Sequence, residues 1–342
     1  TGAVGVGLVV DGATNNPGPV AANTIFGVER AVPGGTTIQF IQPYVLNEID
    51  FDRILIGTNF LYESFNGGDN LTALGGLMDL NGDGLNNDND FSDPPTNSMP
   101  IIDEGDEFRP LNPVGSVGAM AYGGRQGGID NADVTYVGTS GGTVNGTVGR
   151  LFLRTADTAG TLADFSALTA YTGGAPRDIV LDPDDWATAY VIDADDVFVT
   201  FDAGVSWDDI TENLNAVTTD FRSVELVTGA SGDMLLVGSL TGVFRSEVGP
   251  SVTAQWTEFG TGLPNALVRD LQFDAGDDVL VAGSWGRGAW TIPDVSLSVF
   301  TPGQLVIDGE LLPDQDDDIR LVRREAVGAQ DAHREGLCLG DA

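Results

Sequence analysis

The chain has 342 residues, of which 42% are hydrophobic and 47 are glycine, and 15 basic residues face 51 acidic ones for a formal net charge of −36. A surface of that sign repels nucleic acid and anionic membranes and attracts divalent cations, which argues against the first two as partners. All the bases are arginine, the single histidine and cysteine are His333 and Cys338, and no run approaches the roughly 18 apolar residues of a membrane helix.

An internal disulfide is therefore impossible, and Ser-His-Asp, Cys-His and histidine-rich zinc chemistry are closed to the body of the chain. Calcium is the remaining staple for an exported acidic protein. The start at Thr1, without Met or a signal-peptide pattern, is expected of a processed or excised piece.

In chain order, residues 1–41 contain strand-like stretches at Val4 to Val10, Thr24 to Val28 and Thr37 to Ile41. A repeat then begins: an apolar strand ending in Gly plus a small residue, a turn, and a second strand. It reads Arg53-Ile-Leu-Ile-Gly-Thr58 with Leu61-Tyr-Glu-Ser64, then Val134-Thr-Tyr-Val-Gly-Thr139 with Leu151-Phe-Leu-Arg-Thr155. It returns at Ala189 to Ile192 with Val197 to Thr200, at Met234 to Ser239 with Val243 to Ser246, and at Val279 to Ser284 with Gly288 to Thr291. A further strand precedes each phrase, around Tyr44, Gly115, Arg177, Arg222 and Val268, and fourth strands are expected near Trp207 to Ile210 and Trp256 to Phe259. The later units recur at about 45 to 55 residues, the pitch of four-stranded propeller blades.

The expected fold is all-β: a β-propeller over residues 1–295 with about six four-stranded blades, five clear and one partial, the partial one in residues 1–41. No amphipathic helix emerges, because apolar residues alternate or cluster in short runs. Residues 72–112 read as a polar insertion, 296–323 as a short β extension or the start of a following module, and 324–342 as a mobile tail.

The sharpest marker of the repeat is Thr200-Phe-Asp202-Ala-Gly204-Val-Ser206-Trp207, with a degraded copy at Ser64-Phe-Asn66-Gly-Gly68-Asp-Asn-Leu71 and a weaker one at Thr155 to Leu162. The carboxylate accepts backbone N–H bonds in a tight turn, the glycine takes a positive φ, and the tryptophan packs between sheets. This phrase resembles the Asp-box of sialidase-type propellers. Residues 44–292, with the closing phrase Trp256 to Pro264 and Val279 to Trp290, look like bacterial Asp-box modules of large secreted or cell-surface proteins. The resemblance implies a structural role for Thr200, Asp202, Gly204, Ser206 and Trp207.

Asp79-Leu-Asn81-Gly-Asp83-Gly-Leu85-Asn-Asn87-Asp-Asn-Asp90 fits a twelve-residue calcium loop. Oxygen ligands fall at positions 1, 3 and 5, a carbonyl at Leu85, a water-mediated contact at Asn87 and a carboxylate at position 12. Calcium is the cofactor expected here, in an insertion rather than in a blade. The acid run Asp314 to Asp318 reads as a solvated turn.

Candidate chemistry lies on the innermost strands: carboxylates Asp178, Glu225 and Asp270, and arginines Arg177, Arg222 and Arg269 as ligand-binding groups. Trp186, Trp285 and Tyr122 are candidate stacking platforms. Three readings stand. One is a non-catalytic, calcium-stabilised extracellular module that binds carbohydrate or protein at a cell surface, alongside other modules of a larger chain. Another is a glycoside hydrolase working with paired carboxylates, sialidase-like or xyloglucanase-like. The third is an assembly-factor-type propeller that binds a protein segment.

Overall fold

The computed structural model describes residues 43–74, 77–79, 108–110, 114–144, 146–229, 232–260, 262–263 and 265–299. Within them the repeat phrases fold into five antiparallel meanders. Blade 1 is β1 (Tyr44–Leu46), β2 (Ile54–Gly57), β3 (Leu61–Ser64) and β4 (Thr72–Ala73). Blade 2 is β7 (Val117–Gln126), β8 (Ile129–Val144), β9 (Thr147–Arg154) and β10 (Ser166–Ala167), after a separate two-stranded pair, β5 (Leu77–Asp79) and β6 (Phe108–Pro110). Blade 3 is β11 (Asp178–Leu181), β12 (Ala189–Ile192), β13 (Val197–Thr200) and β14 (Asp208–Asp209). Blade 4 is β15 (Ser223–Gly229), β16 (Gly232–Ser239), β17 (Gly242–Val248) and β18 (Thr257–Phe259). Blade 5 has three strands among the described residues: β19 (Val268–Asp274), β20 (Val279–Ser284) and β21 (Gly288–Pro293).

The architecture is a β-propeller. The first strand of each blade lies innermost, and β1, β7, β11, β15 and β19 neighbour one another in chain order. All four residues of β2, β3, β12 and β13 are buried, because each middle strand is covered on both faces. That explains why these strands read as continuous apolar runs rather than as alternation. Helix is confined, among the described residues, to short turns such as α1 (Leu214–Val217) and α2 (Val295–Ser298).

Two fourth strands escaped the sequence reading, β4 and β10, each only two residues long. Thr72 and Ala73 belong to blade 1, so the interruption of the repeat begins after its fourth strand. β5 and β6 pair in register Leu77↔Pro110 to Asp79↔Phe108 and bring the two ends of the interruption together. The calcium loop from Asn81 to Asp90, the sixth blade expected in residues 1–41, the extension and tail after residue 299, His333 and Cys338 all lie outside the described residues.

Neighbouring blades meet closely for a reason visible in the repeat. A Cβ placed on Gly57 would fall 2.5 Å from Val117 Cγ1 of blade 2, and one on Gly238 would fall 3.0 Å from Val268 Cγ1 of blade 5. One on Gly138 would run into Pro176, which leads into blade 3. In blades 1, 2 and 4 a glycine of the second strand leaves room for the next blade's innermost strand or the residue leading into it.

Polar ties complete the joints. Arg154 and Glu63 are fully buried, and Arg154 Nη1 donates to Glu63 Oε2 at 2.8 Å from blade 2 to blade 1. Tyr122 donates to the same carboxylate, and Arg154 Nε donates to the Asp133 carbonyl at 3.0 Å. Arg53 pairs with Asp133 at 2.7 Å across the same joint.

A buried pair costs desolvation on both sides, and its removal by halves strands a charge. Arg154→Met is expected to lower unfolding free energy by about 3–5 kcal/mol in urea denaturation. Glu63→Leu combined with Arg154→Met is expected to recover more than half of that loss.

Candidate functional site

An innermost strand has one free edge, and its N–H groups on that edge face the central channel. The side chains of the preceding blade cap them. Asp178 Oδ2 accepts from Val224 N at 2.8 Å and from Ser223 Oγ at 2.9 Å, and Ser223 Oγ in turn accepts from Leu271 N at 3.0 Å. One relay thus links blades 3, 4 and 5.

The channel collects carboxylates from four blades. Desolvation pushes the Asp178 carboxyl up to about 6, helped by the charge of Asp270 and opposed by the N–H and hydroxyl donors. Desolvation pushes Glu225 up to about 8, with the charges of Asp178 and Glu48 adding to it and N–H donors from Leu226 and Phe273 opposing it. Glu48, in the turn after β1, is raised by burial as well. Asp178 and Glu225 are half-buried and Asp270 is exposed. Structure therefore brings together Asp178, Glu225 and Asp270, and adds Glu48, which sequence reasoning missed because it lies outside the repeat phrase.

The arginines nominated from the repeat point elsewhere. Arg177 Nη1 meets Asp220 Oδ1 at 2.6 Å and the Phe221 carbonyl at 2.8 Å, and Arg222 Nη2 holds the same Asp220 at 2.7 Å. Burial works against ionisation of Asp220, but the two guanidinium groups outweigh it and hold its carboxyl below the usual range. Arg269 lies over the Trp285 ring, 4.9 Å from its centroid. The three arginines do not converge on one anion.

Of the candidate platforms, Tyr122 is fully buried against Glu63, and Trp186 packs on Gly124 while its carbonyl accepts from the Tyr136 hydroxyl. Trp285 is 65% exposed. A groove of about 490 Å³ between blade 2 and the segment that follows its fourth strand includes Arg150, Thr169, Tyr171 and Gly173 in its wall and none of the channel carboxylates.

The Thr200–Trp207 turn lies between β13 and β14. Thr200 Oγ1 donates to Asp202 Oδ1 at 2.8 Å and accepts from Gly204 N at 2.8 Å, while Ser206 N and Oγ donate to the Asp202 carboxylate at 2.8 and 2.7 Å. The Ser206 hydroxyl and backbone N–H hold the Asp202 carboxyl below its usual range. Gly204 has φ +81°, and Trp207 packs edge-on to Tyr171 with centroids 5.5 Å apart. Ser64, Asn66, Gly68 and Asn70 repeat the same bonds in blade 1, with Gly68 N to Ser64 Oγ at 2.9 Å and Asn70 N to Asn66 Oδ1 at 2.9 Å.

Among the described residues no three His, Cys, Asp or Glu side chains approach closely enough to hold a metal ion. No helix among them is long and apolar enough to cross a membrane.

No family model matches the sequence, and no curated protein matches it significantly. Solved structures of similar architecture include an ancestral GH74 enzyme, at 14% identity and TM-score 0.44 over 73% of this chain and 30% of that one. The β-propeller domain of Cps50 (Swd1) from Myceliophteria thermophila is similar at 10% identity and TM-score 0.44, over 78% of this chain and 67% of that one. Sqt1 from Chaetomium thermophilum is similar at 14% identity and TM-score 0.45, over 75% of this chain and 56% of that one. This chain thus spans less than a third of the GH74 enzyme. Such likenesses carry nothing beyond the propeller architecture already described.

Raised carboxyl pKa values make a prediction with a definite sign. Between the unfolded value, near 4.5, and about 8, folded Glu225 holds a proton that the unfolded chain releases. Stability therefore falls as pH rises through that window. Glu225→Gln is expected to flatten that decline, measured as melting temperature against pH from 4 to 9.

Proposed function

We propose that the chain is a non-catalytic interaction module: a rigid propeller of Asp-box type, extracellular and stabilised by calcium, that binds carbohydrate or protein at a cell surface. One observation carries the reading. Three of the four charged groups nominated for chemistry on blades 3 and 4 are already spent on ties around the blade joint, Arg177 and Arg222 on Asp220 and Asp178 on Ser223 and Val224, with Glu225 the fourth. A catalytic acid needs freedom to meet a substrate, whereas a rigid binding scaffold needs its charges tied down.

The Asp-box part of the reading is supported by the bonding of the Thr200–Trp207 turn and its copy at Ser64. Calcium is supported by the spacing of Asp79, Asn81, Asp83, Leu85, Asn87 and Asp90, and the extracellular setting by the acidic composition. A hydrolase remains the second reading because Glu225, pushed up to about 8, and Asp178, at about 6, share one channel, and a proton-donating carboxyl is what glycoside cleavage requires.

Two measurements separate these readings. The module reading expects no turnover of an aryl-glycoside panel; turnover abolished by Glu225→Gln or Asp178→Asn overturns it. Saturating calcium is expected to raise the melting temperature, by about 2.7 kcal/mol of added stability at a hundred times Kd. Chelator is expected to reverse the rise and Asp83→Ala to abolish it; a melt indifferent to calcium sinks the metal assignment.

A further inference from the structure

Blade 2 departs from the repeat at one place. The second strand ends at Gly57 in blade 1, Ile192 in blade 3, Ser239 in blade 4 and Ser284 in blade 5. In blade 2, β8 shifts register after Gly138 and runs on to Val144, and β9 begins at Thr147. This extra length is anchored to the segment before β7. Ser140 N donates to the Ser116 carbonyl at 2.8 Å, Val144 is 2% exposed in one cluster with Val114, and a Cβ on Gly142 would collide with the Val114 carbonyl. The other blades do without such an extension, and sites are carried on departures of this kind when they are held in place.

The extension forms one wall of the 490 Å³ groove, and the residues after β10 form the other. That volume admits about one or two sugar rings. Arg150 is the one charged residue of the wall; it is exposed and pairs with no carboxylate among the described residues. Its bond to the rest of the wall is a long one, from Nη1 to the Gly173 carbonyl at 3.4 Å. Asp193, whose charge reaches Tyr171, does not serve it. That carboxylate is buried and already accepts from the N–H groups of Gly174, Asp195 and Asp196.

A second polar group of the wall also lacks a partner. Tyr171 is 8% exposed, with its ring edge-on to Phe198 and Trp207. Its hydroxyl lies against Gly173 and makes no hydrogen bond among the described residues. A buried hydroxyl in that position is satisfied by a bound ligand or by a water the ligand holds. Thr169 and Thr172 are exposed in the same wall, and Gly141, Gly149 and Gly173 leave its backbone bare.

We propose that this groove binds an acidic sugar, a uronate residue of a glycan, with Arg150 paired to its carboxylate and Thr169 and Thr172 facing its hydroxyls. A guanidinium offers a carboxylate two parallel bonds. One arginine in a chain of net charge −36 selects a singly charged group and disfavours phosphates and densely sulfated chains. The wall presents hydroxyls and glycine backbone rather than the exposed aromatic anchors of a protein interface, which favours a sugar over an acidic peptide. This ligand class rests on the carbohydrate-binding part of the reading above.

Calorimetric titration of the full chain with trigalacturonate, its methyl ester, neutral trigalactose and a glutamate tripeptide tests the site. Trigalacturonate is expected to bind, with the ester and the neutral sugar at least about tenfold weaker. Arg150→Gln is expected to lose the same factor at an unchanged melting temperature. Tyr171→Phe removes a hydroxyl without a partner, so the melting temperature should hold while binding weakens about threefold; undiminished binding counts against the site. Uronate binding that survives Arg150→Gln overturns the site and leaves a carbohydrate-binding module standing. Tighter binding of the tripeptide overturns the sugar assignment, and a chain that binds none of the sugars overturns the site together with the carbohydrate reading.

Discussion

The joint between blades is the constraint from which most of this structure follows. A blade buries its middle strands where the next blade's innermost strand comes into close contact, and in blades 1, 2 and 4 that contact is permitted by one missing side chain. Where Gly57, Gly138 and Gly238 stand, even a methyl group would collide with the neighbour. The apolar clusters reflect the same geometry: Leu55 and Leu61 of blade 1 pack with Val117 and Val137 of blade 2, and Leu235 and Val237 of blade 4 pack with Tyr190 and Val199 of blade 3.

Closeness creates an electrostatic problem that the chain solves with its own charges. Innermost strands leave backbone donors on their channel edge, and carboxylates and hydroxyls from the preceding blade accept from them. Asp178 does so for Val224, and Ser223 for Leu271. The consequence is a channel in which burial raises the carboxyl pKa of Glu48, Asp178 and Glu225, the last up to about 8. The excess of acid in the composition is thus partly structural as well as a property of the surface.

The Asp-box-like turn follows a separate logic. Its aspartate works locally, tying Ser206 to Asp202 at the edge of a blade, and stays ionised because its bonds favour the charged form. Asn66 does the same with a neutral side chain in blade 1. The turn therefore marks the repeat without taking part in the channel.

By itself the sequence determined the repeat, its pitch and the order of strands in each blade, because middle strands covered on both faces must be uniformly apolar and their turns must carry glycine. It also nominated Asp178, Glu225 and Asp270 on the innermost strands, from the recurrence of the phrase in each blade. Only the tertiary structure decided what those residues do. Arg177 and Arg222 look like ligand groups in a linear reading, yet a shared Asp220 engages both, and that aspartate lies 43 residues from the first of them. Glu48 and the buried Glu63–Arg154 pair carried no local signal, because their partners come from other blades and strand periodicity says nothing about which charge meets which across a joint.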